Sequence, residues 1–374
     1  MNTRPGKRPA GAFCLSLWML LFWANPGLGV AAYRYQDLGT LSGRSWAGGI
    51  NRSGQVVGYS QTQYDPNNYE PHAFLAAAPS PMQDLGTLAG GPTSALGFIS
   101  SANGINNSGQ VVGWSAAILA DGTYAQHAFL TSASGPMRDL GTLGGSTAVA
   151  SAINHNGQVV GWSSIILLGG TPQHAFLWTA TGGMQDLGSW GGDSWAHGIN
   201  NSGQVVGAAA TISPTGASVQ HAFLWTAAGG LQDLGTLGGG NSSASAINDN
   251  GQIVGYANIG SGQQHAFLLP AAGSMLDLST LGGDTSGANG INSRGQVVGW
   301  SLVAGTAQHA FVWTASGGMQ DLNNLVVNPP VNDYLFEARA INDLGQIVGS
   351  TNNGRVFLLT PIRAVPPMME LLLN

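Results

Sequence analysis

A chain of 374 residues, 43% hydrophobic and only 7% charged, is long enough to bury a large core. Past residue 32 it carries eight arginines, no lysine and seventeen acids, a net of −9, which argues against nucleic-acid partners because such a surface repels phosphate backbones. Intrinsic disorder needs high charge and few aromatics, and this composition has neither.

Residues 1–32 read as an export signal rather than as part of the fold. Arg4, Lys7 and Arg8 form a basic start, Ala12 to Ala24 an apolar run, and Val30-Ala31-Ala32 a small-residue cleavage site. The run is too short for a membrane span. Cys14 lies inside it and is the only cysteine, so the exported chain has no disulfide and no thiolate metal site. The expectation is a secreted monomer, extracellular or periplasmic, with no membrane span.

The exported part opens with a fragment, Tyr35-Gln36-Asp37-Leu38-Gly39-Thr40-Leu41, and then repeats one unit seven times. Aligned on an Ile-Asn pair, the copies start from Ile50, Ile105, Ile153, Ile199, Ile247, Ile291 and Ile341, about one propeller blade apart. Each unit divides into four short strands. The first is built of small residues and ends in Ile-Asn, as suits an innermost strand where blades converge. An Asn-x-x-Gly turn follows, whose glycine takes the left-handed conformation of a tight hairpin. The second strand is Gly-Gln-Val-Val-Gly, often followed by Trp or Tyr; adjacent valines point to opposite faces, so both faces are dry. The third is His-Ala-Phe-Leu-Trp, and the fourth Met-Gln-Asp-Leu-Gly-Thr-Leu.

The last copy has its first three strands, the third over Arg355 to Leu359, but no fourth. The opening fragment supplies that strand, which closes a ring and leaves only short sheet edges. The predicted fold is therefore all-β: a seven-bladed β-propeller of four-stranded blades over 33–360, closed by the N-terminal strand, with a tail over 361–374.

The combination of His-Ala-Phe, Gly-Gln-Val-Val-Gly and Asp-Leu-Gly-Thr-Leu resembles the HAF-repeat family of bacterial extracellular proteins, across essentially all of the exported chain. The last copy departs from the pattern with Arg355 in place of His, and Asn323-Asn324 stand where Gly-Thr is usual. The resemblance implies export and a repeat architecture, and it brings no catalytic residues.

Six histidines share one repeat position: His72, His127, His174, His221, His265 and His309. One per blade, away from the axis, they are too far apart to share a metal ion. The expected partner of each is the aspartate of its own fourth strand, so no metal and no cofactor are predicted. The positions that differ between copies are more informative. The residue two before each Ile runs Gly48, Asn103, Ser151, His197, Ser245, Asn289, Arg339. Facing the channel, it makes a polar ring holding His197 and Arg339, either as solvated lining or as a ligand contact. Long connections on blades seven, one and two, on one face, present Tyr64, Asp65, Tyr69, Glu70, Tyr124, Asp333 and Tyr334. They are either tolerated insertions or a ligand surface. Aromatic faces beside amides and carboxylates suit a glycan or a protein surface. The leading expectation is a non-catalytic binding or scaffold propeller. The alternative is a carbohydrate-active hydrolase or lyase using carboxylates on the same face.

Overall fold

The computed structural model describes residues 32–362 except 66–67, 78, 90–98, 120, 133–134, 169 and 213–215, and at 63–65 and 68–69 the backbone alone. Residues 1–31, most of the Ala89 to Ser100 connection and nearly all of residues 361–374 lie outside the described residues. The rest forms seven antiparallel sheets arranged as blades of a propeller. Blade 4 is representative: Ser194–Ile199, Val205–Ile212, Ser218–Thr226 and Gly230–Asp233 pair in chain order from the axis outward.

Blade 7 is completed from both ends of the chain. Tyr33–Asp37 pairs antiparallel with Val356–Pro361, with Tyr35 opposite Leu359 and Asp37 opposite Phe357. A fifth strand, Val326–Val327, pairs parallel with Tyr33 and Arg34 outside it. The long blade 7 connection, which spans Val326 to Leu335, thus begins as a strand. The cause is local. Asn323-Asn324 lets the chain make a short 3-10 turn over Leu322–Asn324, capped by the Asp321 side chain, which accepts from the Asn323 N–H.

The valine pair behaves as alternation demands. Val205 packs toward blade 3 with Val160, Ala175 and Leu177, while Val206 packs toward blade 5 with Ala244, Ile253 and Phe267; both valines are fully buried. The phenylalanine of each third strand is also fully buried. Its neighbour, the second glycine of Gly-Gln-Val-Val-Gly, cannot carry a side chain: a Cβ at Gly207 would collide with the Trp195 carbonyl of the inner strand.

That collision reflects a feature the sequence did not announce. Every inner strand carries a β-bulge at the residue two before Ile, as at His197 between Ala196 and Gly198. A bulge leaves one residue unpaired and re-aims its side chain. In all seven blades that residue lines the channel.

The Ile-Asn asparagines close the ring on the opposite face. Each is a turn residue, its Oδ1 accepting backbone N–H groups two and four residues on, as Asn51 does from Ser53 and Gln55. Its Nδ2 donates to the Gln of Gly-Gln in its own blade and to the asparagine carbonyl of the next blade. The chain of donations runs Asn51, Asn106, Asn154, Asn200, Asn248, Asn292, Asn342 at 2.9–3.2 Å. Asn342 then donates to the Asn51 carbonyl at 3.0 Å, so the seven bonds form an unbroken circle.

Candidate functional site

The repeated histidines lie where the sequence reading expects. The Nδ1 atoms of His72, His127, His174, His221, His265 and His309 meet the carboxylates of Asp84, Asp139, Asp186, Asp233, Asp277 and Asp321 at 2.7–2.9 Å. In blade 7 Arg355 takes the histidine's place, and its Nε donates to Asp37 of the N-terminal strand at 2.6 Å. This pairing raises the guanidinium's basicity further, burial opposing it. The departure from the repeat therefore preserves the bond and adds an ion pair across the closure. Burial alone would raise the Asp139 carboxyl, but hydrogen bonds from His127 and the Gly141 N–H hold it below the ordinary range. Among the described residues no cluster of three or more His, Cys, Asp or Glu is placed to hold a metal ion.

The central channel holds a cavity of about 870 Å³, and a second of about 210 Å³ lies at the asparagine circle. Its wall is the ring of bulge residues Gly48, Asn103, Ser151, His197, Ser245, Asn289 and Arg339. Three of them reach across to the next blade: Asn103 Nδ2 to the Ala150 carbonyl at 2.8 Å, His197 Nδ1 to Ala244 at 2.9 Å, and Asn289 Nδ2 to Ala338 at 2.9 Å. His197 is thus a structural donor as well as a lining residue. Its burial lowers its pKa, Arg339 adds to the effect, and the carbonyl partner opposes it. Arg339 is exposed to the channel.

At the wide mouth, on the face of the long hairpins, sits a crescent of aromatic side chains. The residue four before Ile on the inner strand pairs with the residue after Gly-Gln-Val-Val-Gly on the second. The pairs are Trp46 with Tyr59, Ser101 with Trp114, Val149 with Trp162, Trp195 with Ala208, Ser243 with Tyr256, and Gly287 with Trp300. One partner of each pair is aromatic, and in blade 1 both are, stacked at 4.9 Å and 18°. Blade 7 breaks the crescent, with Glu337 opposite Ser350. These rings are half-buried, and Trp195, Tyr256 and Trp300 line the cavity together with Gln220 and Gln264. From sequence the Trp or Tyr that often follows Gly-Gln-Val-Val-Gly has no assigned role. The available signal was its variation, since Ala208 and Ser350 occupy the same position.

The other expected residues are placed as follows. Tyr64, Asp65 and Tyr69 are on the blade 1 hairpin of Val56–Asp65 and Asn68–Ala76, with their side chains outside the described set. Glu70 on that hairpin is buried, and its carbonyl accepts from Thr62 Oγ1 at 2.8 Å. Tyr124 stands 48% exposed opposite Ile118 on blade 2. Asp333 and Tyr334 come together and are bound into the fold. Asp333 Oδ1 accepts from the Tyr334 and Asn353 N–H groups, while the Tyr334 hydroxyl donates to Asn352 and its ring lies 5.2 Å from that of His309.

No protein-family model matches this sequence, and no curated protein matches it. Solved structures similar to it include the BP39L lectin from Burkholderia pseudomallei, 8% identical over 90% of this chain and 99% of that one, with a TM-score of 0.47. TolB from Acinetobacter baumannii is 12% identical over 82% and 79%, with a TM-score of 0.43. A catalytically inactive virginiamycin B lyase from Staphylococcus aureus is 13% identical over 88% and 100%, with a TM-score of 0.40. At such identities none of them says what this chain binds.

Proposed function

We propose that this chain is an exported, non-catalytic binding propeller of the HAF-repeat kind that holds a glycan or another extracellular protein on the long-hairpin face, centred on the channel mouth. The observation that supports this most is the cavity of about 870 Å³ lined by half-buried Trp195, Tyr256 and Trp300 beside Gln220 and Gln264. Its volume lies in the range of roughly 300–1,000 Å³ common for ligand sites. Aromatic faces cover apolar ligand surface, and amides supply directional hydrogen bonds at its edge. Tyr64, Asp65, Tyr69, Glu70 and Tyr124 stand on the long hairpins of blades 1 and 2.

The repeated carboxylates favour binding over chemistry. Asp84, Asp139, Asp186, Asp233, Asp277 and Asp321 each sit with a histidine in equivalent surroundings. Acid–base catalysis instead needs two carboxyls whose environments push their pKa values apart. Export follows from residues 1–32 as read above.

The test is a screen of residues 33–374 against a glycan array and a panel of extracellular proteins, with hydrogen exchange locating the contact. Protection of the inner strands and hairpins at the wide mouth is the expected result. Protection confined to the outer strands would refute the site. Turnover of a glycan that is lost in Glu70→Gln or Asp333→Asn while binding persists would replace the binder with an enzyme.

A further inference from the structure

The cavity is lined by a single formal charge. Arg339 is exposed to it, with no hydrogen-bond or ion-pair partner among the described residues, and burial lowers the pKa of His197 beside it in the lining. Asp and Glu are absent from the described lining. The guanidinium is the one formal charge of that lining, with Glu337 two residues before it on the same strand, and residues 33–374 carry a net charge of −9. It offers a planar, two-pronged donor that matches a carboxylate, while the acidic exterior repels a polyanion.

Two aromatic side chains of the same lining are held in place by their neighbours. A Cβ at Gly287 would stand 2.9 Å from Trp300 Nε1, so the indole lies against the bare glycine. Trp195 is held by its edge, Nε1 donating to Gln173 of blade 3 at 2.6 Å. Tyr256, Trp300 and Arg339 belong to three consecutive blades, and Gly290 of blade 6 abuts the Arg339 backbone. A sugar ring stacks on an aromatic face through its C–H surface and reaches sideways with hydroxyls.

We infer that the channel mouth of blades 4 to 7 is a site for the end of an acidic oligosaccharide, with sugar rings on Trp300, Tyr256 and Trp195 and one carboxylate on Arg339. This rests on the reading of the mouth as a binding surface and adds the ligand's charge and the residues that select it. A blade can form without a ring at this pair, because blade 7 carries Glu337 and Ser350 where blades 5 and 6 carry Tyr256 and Trp300.

Calorimetry would compare trisaccharides ending in glucuronic, galacturonic or sialic acid with their carboxyl-reduced counterparts, using residues 33–374. At least one acid should bind about tenfold or more tighter than its reduced form, the scale of one charge-assisted pair. Arg339→Gln should abolish that difference and leave binding of the reduced sugar unchanged. Trp300→Ala should weaken acid and reduced sugar alike, by about tenfold, with unaltered thermal stability. Equal binding of acid and reduced forms, or a preference that survives Arg339→Gln, would overturn the inference. Capture of a neutral glycan or a protein that depends on Trp300 would overturn it too, while leaving the broader binding function standing.

Discussion

Replacing Asn200 by alanine removes four hydrogen bonds from a side chain that is 3% exposed. Its Nδ2 donates to Gln204 Oε1 at 2.7 Å and to the Asn248 carbonyl at 3.2 Å. Its Oδ1 accepts from the Ser202 and Gln204 N–H groups at 3.1 and 3.0 Å. At about 1 kcal/mol net for each bond the ceiling is about 4 kcal/mol. Ser202 is exposed and its N–H regains water, and the Gln204 amide can turn, so the expected cost is about 2–3 kcal/mol. Asn342 makes the same four bonds, two of them within its turn, one to Gln346 and one to Asn51 across the closure. If the circle is continuous, Asn342→Ala should cost the same as Asn200→Ala to within about 0.5 kcal/mol. Urea denaturation followed by tryptophan fluorescence reads both, provided the m-value is unchanged. A cost at Asn342 less than half that at Asn200 would show that blade 7 and blade 1 are not joined this way. Losses below about 0.5 kcal/mol at both would reduce these asparagines to ordinary turn residues.

Three further outcomes follow from the same packing. His72→Ala, which strips a partner from Asp84, should cost about 1–2 kcal/mol, and a chelator should leave the melting temperature of the native protein unmoved; melting lowered by chelation would point to a metal instead. Val206→Ala, fully buried between blades 4 and 5, should cost about 1–3 kcal/mol in denaturant, and an effect near zero would mean the strand is not sandwiched. His197 has a lowered pKa, chiefly from burial, so below its ordinary value of about 6.5 the unfolded chain binds the proton first. Stability present above that pH is therefore lost as pH falls. His197→Asn keeps the inter-blade bond, as Asn103 and Asn289 do, and should flatten the stability profile between pH 7 and pH 5; an unchanged profile would contradict the assignment.

Seven copies made the blade count and the closure legible, because a fragment at one end matched the strand missing at the other. The His–Asp pairing was legible for a related reason. Two residues that recur in step on adjacent strands are neighbours whatever the loops do, and Arg355 at the one odd histidine position still found Asp37. Three things stayed hidden, each on physical grounds. The bulge adds a residue with no compositional mark, since glycine, asparagine, serine, histidine and arginine all occupy it. The asparagine circle was masked by a sufficient local explanation: an Asn-x-x-Gly turn accounts for the Oδ1 and says nothing of where the Nδ2 goes. The aromatic crescent was masked by its own bulk, for a tryptophan after two buried valines reads as more core. Trp195 faces Ala208 while Trp300 faces Gly287, so the strand that supplies the ring changes from blade to blade. Such an exchange keeps the volume of the strand pair nearly constant, and it leaves at least one ring at this position in six of the seven blades, blade 7 having Glu337 and Ser350 instead.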